Sequence, residues 1–338
     1  MKYFLSFLLV VYAATAHSID VSPFKPGQKL SNKQAHELTQ HFKQRKVQDW
    51  KAPPTIDSLK GHENEDLIRY GITVLDKTLI TIGPNVKDVS KRYSGNSLNC
   101  SSCHLKGDTA LPGTKYDAIP FTNMSNDYPQ FRGRDMDIVS AAMRINGCMT
   151  RSMGNGKPLP EDSREMKGIL AYFDWLAEGT QKNQAMKGTN LPKVKLPDRK
   201  ADVENGNKVY IQICAACHGH DAMGDEAPDY ATTGKYTFPP LAGEGSFNNG
   251  AGMSRLIKAT LFVHANMPLG ASSTTPIVTV DQAYDAAAYM LSLPRGRHEG
   301  RDKDFPDPDF RPADYPVPEY FGSDKAALEK ARLGPYTQ

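Results

Sequence analysis

Two pentapeptides decide the reading of this chain: Cys100-Ser101-Ser102-Cys103-His104 and Cys214-Ala215-Ala216-Cys217-His218. Each sets two thiols three positions apart with an imidazole beside the second. That is the attachment spacing of a c-type haem, in which each thiol adds across a vinyl group and the adjacent His is held against the iron as proximal ligand. Paired Cys-x-x-Cys can also hold structural zinc, but such pairs lie about 15 to 20 residues apart. Here 214 − 100 = 114 residues separate them. The expectation is two covalently bound haem c groups, attached through Cys100, Cys103, Cys214 and Cys217, with His104 and His218 on the irons. Of the five cysteines, Cys148 alone is left over.

Around these motifs the organisation repeats. Each is preceded by a helical pattern and followed, after a long irregular stretch, by another. In the first unit Leu67, Tyr70, Gly71, Val74 and Leu75 recur at helical spacing after Glu63–Asp66. Met166, Ile169, Leu170, Phe173 and Leu176 mark its closing helix, with Asp162 the expected N-cap and Glu165 its capping-box partner. In the second unit Val203, Gly206, Val209 and Tyr210 follow Asp202, and Tyr284, Ala287, Ala288 and Leu291 follow Val280–Gln282 until Pro294 stops the helix. The pattern predicts an all-α protein of two tandem cytochrome c-type domains, at 61–181 and 201–296, with long irregular connecting segments. The 24 Pro and 27 Gly suit such connectors, because a haem supplies core that polypeptide would otherwise provide.

Residues 182–200, with Pro192 and Pro197 among alternating lysines, read as a partly extended linker with solvated charges. The segment 17–60 reads as an N-terminal extension in which Ser31 to Trp50 forms a polar helix, with Phe42, Val47 and Trp50 available for packing. Residues 297–338 read as a polyproline-like strap across a domain surface. Neither end is assigned to chemistry.

Residues 1–16 have the form of a secretory signal peptide: Lys2, the apolar run Phe4–Tyr12, then the small residues Ala13–Ala16. The run is too short to span a bilayer as a helix, no later segment is long enough, and no Cys near the cleavage region could accept a lipid. The mature chain is expected to start near His17 and to be periplasmic, without a membrane span. Its formal charge of +3 falls to +2 once Lys2 is removed, so no nucleic-acid partner is indicated.

The distal ligands carry the functional question, because a haem with two strong ligands transfers electrons whereas one with a labile ligand can do chemistry. Met267 follows His218 by 267 − 218 = 49 residues, the place of a cytochrome c methionine, with Met253 and Met223 as competitors. Its soft, neutral thioether would raise the potential. In the first unit a similar interval, 148 − 104 = 44 residues, lands on Cys148. A thiolate there would lower the potential and would still be a nucleophile if it left the metal. On spacing alone, Cys148 as a buried free thiol, with Met124, Met143, Met149 or Met153 as ligand, stands equally open. Around it lie Arg132, Arg134, Arg144 and Arg151, with Ser152 as a hydroxyl donor. Guanidinium forks suit oxyanions, although some of these arginines would serve haem propionates. A nucleophilic sulfur beside an anion cradle points to sulfur oxyanion chemistry.

The first haem motif, the Phe131–Arg134 segment, the Arg144–Ser152 segment with Asn155–Pro160, and the terminal segment from Lys303–Asp307 to Asp314–Pro316 together resemble the dihaem thiosulfate dehydrogenases. The likeness covers most of the mature chain, and the cysteine segment is its most specific part. The resemblance implies two cytochrome c domains, His/Cys ligation at the first haem, and oxidation of two thiosulfate to tetrathionate, with some members running well in reverse. It implies that Cys148 is both axial ligand and catalytic residue, and that Arg134, Arg144 and Ser152 contact substrate. The residue before the second-haem methionine can be an iron-ligating lysine among relatives. Here it is Asn266, so ligand switching by a lysine is not expected, and steady His218/Met267 ligation would exchange electrons with a soluble periplasmic cytochrome or similar partner. Three alternatives stay open at this level: a plain dihaem electron carrier, a dihaem peroxidase, and a haem-thiolate subunit of a sulfur-oxidising complex.

Overall fold

The computed structural model describes residues 24–336; the expected signal peptide lies outside the described residues. Those residues are predominantly helical. The helices are α1 (Asn32–Lys43), α2 (Glu65–Asp76), α3 (Thr78–Ile82), α4 (Met124–Asp127), α5 (Ala141–Met149), α6 (Arg164–Ala177), α7 (Val203–Val209), α8 (Ala215–His218), α9 (Tyr230–Thr233), α10 (Leu256–Asn266), α11 (Val280–Ser292) and α12 (Lys325–Leu333). An all-α description needs one amendment, since three short strand pairs are present. β1 (Val47–Gln48) runs parallel to β4 (Ala185–Met186), β2 (Gln130–Arg132) antiparallel to β3 (Asp137–Val139), and β5 (Asp225–Glu226) antiparallel to β6 (Tyr236–Phe238).

Two helix pairs set the frame, α2 against α6 and α7 against α11. Both close on glycine. A Cβ at Gly71 of α2 would fall 2.0 Å from the carbonyl oxygen of Gly168 in α6, and one at Gly206 of α7 would fall 1.9 Å from the carbonyl oxygen of Asp285 in α11. Backbones approach this closely only where no side chain intervenes. The apolar residues at helical spacing, among them Ile68, Val74, Leu75, Met166, Ile169, Phe173 and Leu176, are buried in one core that continues through Ala259, Tyr284, Ala287 and Ala288 of the second pair.

Helix starts follow side-chain chemistry. Asp202 caps α7 by accepting the Asn205 N–H, and Thr279 forms a capping box with Gln282 on α11. At α6 the cap is Ser163, which accepts from Met166 N, rather than Asp162; the hydroxyl one residue later reaches the N3 amide. α1 ends at Lys43, short of Trp50, because Val47 and Gln48 pair with 185–186. Trp50 instead packs edge-on to Tyr116, with centroids 5.2 Å apart. The segment 182–200 is packed as well as extended, with Met186, Leu191 and Leu196 buried.

The chain after 297 does more than lie on a surface. Its Asp314 is fully buried, accepts two bonds from Arg255 at 2.8 and 2.5 Å, and takes the Ile257 N–H at the start of α10. Beyond it, the Leu333 carbonyl accepts from Ala201 N and the Tyr284 hydroxyl, which ties α12 to the second helix pair.

Candidate active site at the first haem motif

Thr78 anchors the first motif. Its hydroxyl lies 3.4 Å from Cys100 Sγ and accepts the Cys100 N–H at 3.0 Å, while Asn99 caps the tight turn Cys100–Ser102 and accepts from Leu79 N. His104 follows with its ring over Phe121, centroids 4.3 Å apart. Its Nδ1–H donates to the Ile119 carbonyl at 2.6 Å, which leaves Nε2 for a metal. Ile119 has φ of 55°, a costly conformation for a β-branched residue, so strain is held where the ligand is fixed.

α5 supplies the other face. Ser140 caps it, and its register puts Arg144 and Cys148 four residues apart on one side. Arg144 Nη1 donates to Cys148 Sγ at 2.9 Å, and the His104 ring stands close to that sulfur. Burial pushes the Cys148 thiol up, but Arg144 and His104 together outweigh it and bring it down to about 6. Its neighbours behave oppositely: burial pushes Cys100 up to about 11 and Cys103 up to about 12. Of the three thiols in this site only Cys148 is disposed to be a thiolate.

Cys100, Cys103, His104, Cys148 and Ser152 share one cavity, walled otherwise mostly by apolar side chains such as Val74, Leu98, Ile169 and Phe173. The site fits a haem: two unpaired thiols, an imidazole whose other nitrogen is satisfied, a sulfur donor and an apolar wall.

The second motif repeats the device. α7 continues through a π-turn at Tyr210–Cys214 into α8, a distortion common at functional sites. His218 Nδ1–H donates to the Pro239 carbonyl at 2.8 Å, and burial holds its imidazole below the usual range. Burial pushes Cys214 up to about 11. These thiols and this oriented imidazole fit a second haem by the same chemistry. Met267 lies at the C-terminal end of α10, half-buried against Leu261, Phe262 and Leu191, a cluster that Leu105 and Ile119 of the first unit also touch.

The arginines separate into two groups. Arg144 reaches the sulfur. Arg134 and Arg151 instead share Asp304: Arg151 Nη2 lies 2.7 Å from Oδ1 and Arg134 Nε 3.7 Å from Oδ2, and both donate to the Gly250 carbonyl at 3.3 Å. Burial chiefly, with Arg151 beside it, holds Arg134 down to about 10. Three further residues join the site without having been anticipated. Asp304 comes from the strap. Tyr128 hydrogen-bonds Arg144. Lys258 comes from α10; burial lowers its pKa most, Arg255 lowers it further, and Arg132 and Arg144 add to this. Arg144 and Cys148 carried a legible signal in their helical four-residue spacing. Asp304 and Lys258 carried none, since only the tertiary fold brings them here.

A chain with two His-terminated thiol pairs, each His oriented by a backbone carbonyl, and a model match to "Cytochrome c" over residues 203–294, is a c-type cytochrome. Its relatives narrow the class. It is 32% identical over 259 residues to the thiosulfate dehydrogenase of Stutzerimonas stutzeri, covering 77% of each chain. It is 36% identical over 203 residues to that of Allochromatium vinosum, covering 60% of this chain and 72% of the relative. The solved thiosulfate dehydrogenase (TsdBA) from Marichromatium purpuratum superposes with a TM-score of 0.62 at 31% identity, over 72% of this chain and 49% of that one, so the chain spans about half of that structure's length. The chain belongs to the thiosulfate dehydrogenase family.

Proposed function

We propose that this chain is a periplasmic dihaem cytochrome, built of two tandem cytochrome c-type domains and exported by residues 1–16, that oxidises two thiosulfate to tetrathionate and can run in reverse. One observation carries the reading: Cys148 Sγ shares a cavity with Cys100, Cys103 and His104 and is held by Arg144 Nη1 at 2.9 Å. A nucleophilic sulfur with a guanidinium beside it, in the cavity that would hold the first haem, supports sulfur oxyanion chemistry there.

When bound, the two haems supply acceptors that take electrons one at a time. The chain's own residues do the rest. Arg144 and Lys258 attract the dianion, and Ser152 in the cavity wall offers a hydroxyl donor. The Cys148 thiolate and the outer sulfur of thiosulfate form an S–S bond as two electrons leave. A second thiosulfate attacks that outer sulfur with its own; the new S–S bond makes tetrathionate, and the bond to Cys148 breaks to return the thiolate. No proton moves. In each step a thiosulfate dianion meets a singly charged sulfur species, which at 4 Å repels by about 2 kcal/mol even in water, and more in a cavity. Cations at this place therefore lower the barrier itself. The His218 and Met267 site is the electron outlet, facing a soluble periplasmic cytochrome or similar partner.

The test is purified holo-protein assayed with thiosulfate plus ferricyanide and with tetrathionate plus a reduced viologen. Cys148→Met should keep two haems by intact mass and lose tetrathionate formation almost completely. Substantial thiosulfate oxidation by that variant would sink the covalent role of this sulfur.

A further inference from the structure

Away from both haem motifs, His36 on α1 faces Asp307 and Asp309 of the C-terminal strap. His36 Nε2 lies 3.6 Å from Asp307 Oδ2 and 3.4 Å from Asp309 Oδ2, and one donor atom from each of the three lies within 4.8 Å of the others. Among the described residues this is the one such group of three.

The buried carboxylate sets it apart from a surface ion pair. Asp307 is only 6% exposed. Its Oδ1 accepts the Asp309 N–H at 2.9 Å and so caps the turn Pro308–Phe310, but its Oδ2 is buried without a hydrogen-bond partner. His36, at 3.6 Å, is too far to serve as one. A buried carboxylate oxygen left unpaired is costly, and a cation in the space it faces removes that cost. The imidazole is also positioned: its ring stacks on Phe310 with centroids 4.7 Å apart, and Phe310 packs on Phe131 of β2 at 5.1 Å.

Donor chemistry then selects the ion. Zinc bonds of about 2.0–2.1 Å to nitrogen and oxygen set tetrahedral donor separations near ~3.3–3.4 Å, close to the 3.4 and 3.6 Å found here. One imidazole among the donors disfavours magnesium and calcium, which prefer all-oxygen sites. We propose that His36, Asp307 and Asp309 form a binding site for a zinc-class divalent cation, with water as fourth ligand, that clamps the C-terminal strap to the N-terminal helix. The site touches neither haem motif, so it stands whatever reaction the chain performs.

The experiment is isothermal titration of untagged, chelator-stripped holo-protein with zinc, beside a thermal scan. One equivalent should bind with micromolar affinity or better and raise the melting temperature, and magnesium at the same concentration should do neither. His36→Ala and Asp309→Asn should each weaken zinc binding at least tenfold with unchanged haem spectra. Asp309 is 73% exposed, so its variant leaves the packed interior intact. Absence of zinc binding at tens of micromolar, undiminished binding in both variants, or an equal response to magnesium would each overturn the proposal.

Discussion

Replacing Asp304 by Asn should destabilise the protein through the arginine pair that this carboxylate holds. Asp304 is 6% exposed and receives Arg151 Nη2 at 2.7 Å, Arg134 Nε at 3.7 Å and the Tyr315 hydroxyl. Without its charge, the two guanidiniums keep the Gly250 carbonyl as a shared neutral acceptor at 3.3 Å. Breaking a buried ion pair by removing one partner costs about 3–5 kcal/mol. Asn retains one carbonyl acceptor for Arg151, which puts the expected loss near ~3 kcal/mol. At roughly 1.5 °C per kcal/mol for a chain of more than 300 residues, the melting temperature should fall by about 4–5 °C. Far-UV circular dichroism of the holo-protein at fixed scan rate measures it, and the Soret band reports that haem stays attached. A fall of less than about 2 °C would refute the claim that the strap stabilises the fold by neutralising these arginines.

Three further outcomes follow from the geometry. Gly206→Ala must push apart backbones that already bring a Cβ within 1.9 Å of the Asp285 carbonyl, so the variant should fail to mature as a two-haem protein; normal haem content by intact mass would show that α7 and α11 can separate. Lys258→Ala should lower kcat/KM for thiosulfate roughly tenfold or more, the size of a lost charge-assisted contact, with haem spectra unchanged, whereas wild-type kinetics would remove it from the anion cradle. Asp285 accepts from Arg199, Asp202 N and Asn205, and although burial raises its pKa, these bonds bring it below its ordinary 3.8. Its stabilisation is therefore complete above that value and lost as pH falls through the lowered pKa; Asp285→Asn should be less stable at pH 7, and the gap should narrow below about pH 4 in urea titrations.

Much of the site was legible because haem attachment and helix formation are written in local spacing. The two motifs place thiols and imidazole within five residues, and four residues between Arg144 and Cys148 is one helical turn. Gly71 and Gly206 fall among the positions at helical spacing, and each is where two helices touch, a role that spacing alone does not assign. What escaped was long-range. The resemblance makes Arg134 a substrate contact, and the fold sets it beside Asp304 and the rings of Phe305 and Tyr315, about 170 residues further on, neighbours that no local pattern announces.

α10 is where the two units become one device. Its start is fixed by Asp314 of the strap, which takes Ile257 N and Arg255; one residue later comes Lys258, whose pKa the charges of Arg132 and Arg144 help to lower. At its other end stands Met267, nine residues and about 13 Å along the axis. A rigid helix thus carries a cation for the sulfur site at one terminus and the expected distal ligand of the second haem at the other. Two independent cytochrome domains would need neither the shared core through Ala259 and Tyr284 nor the cluster in which Leu105, Ile119 and Met267 meet. This packing sets the spacing between Cys148 and Met267, so on the proposed mechanism a substitution that loosens α10 should impair electron transfer and anion binding together.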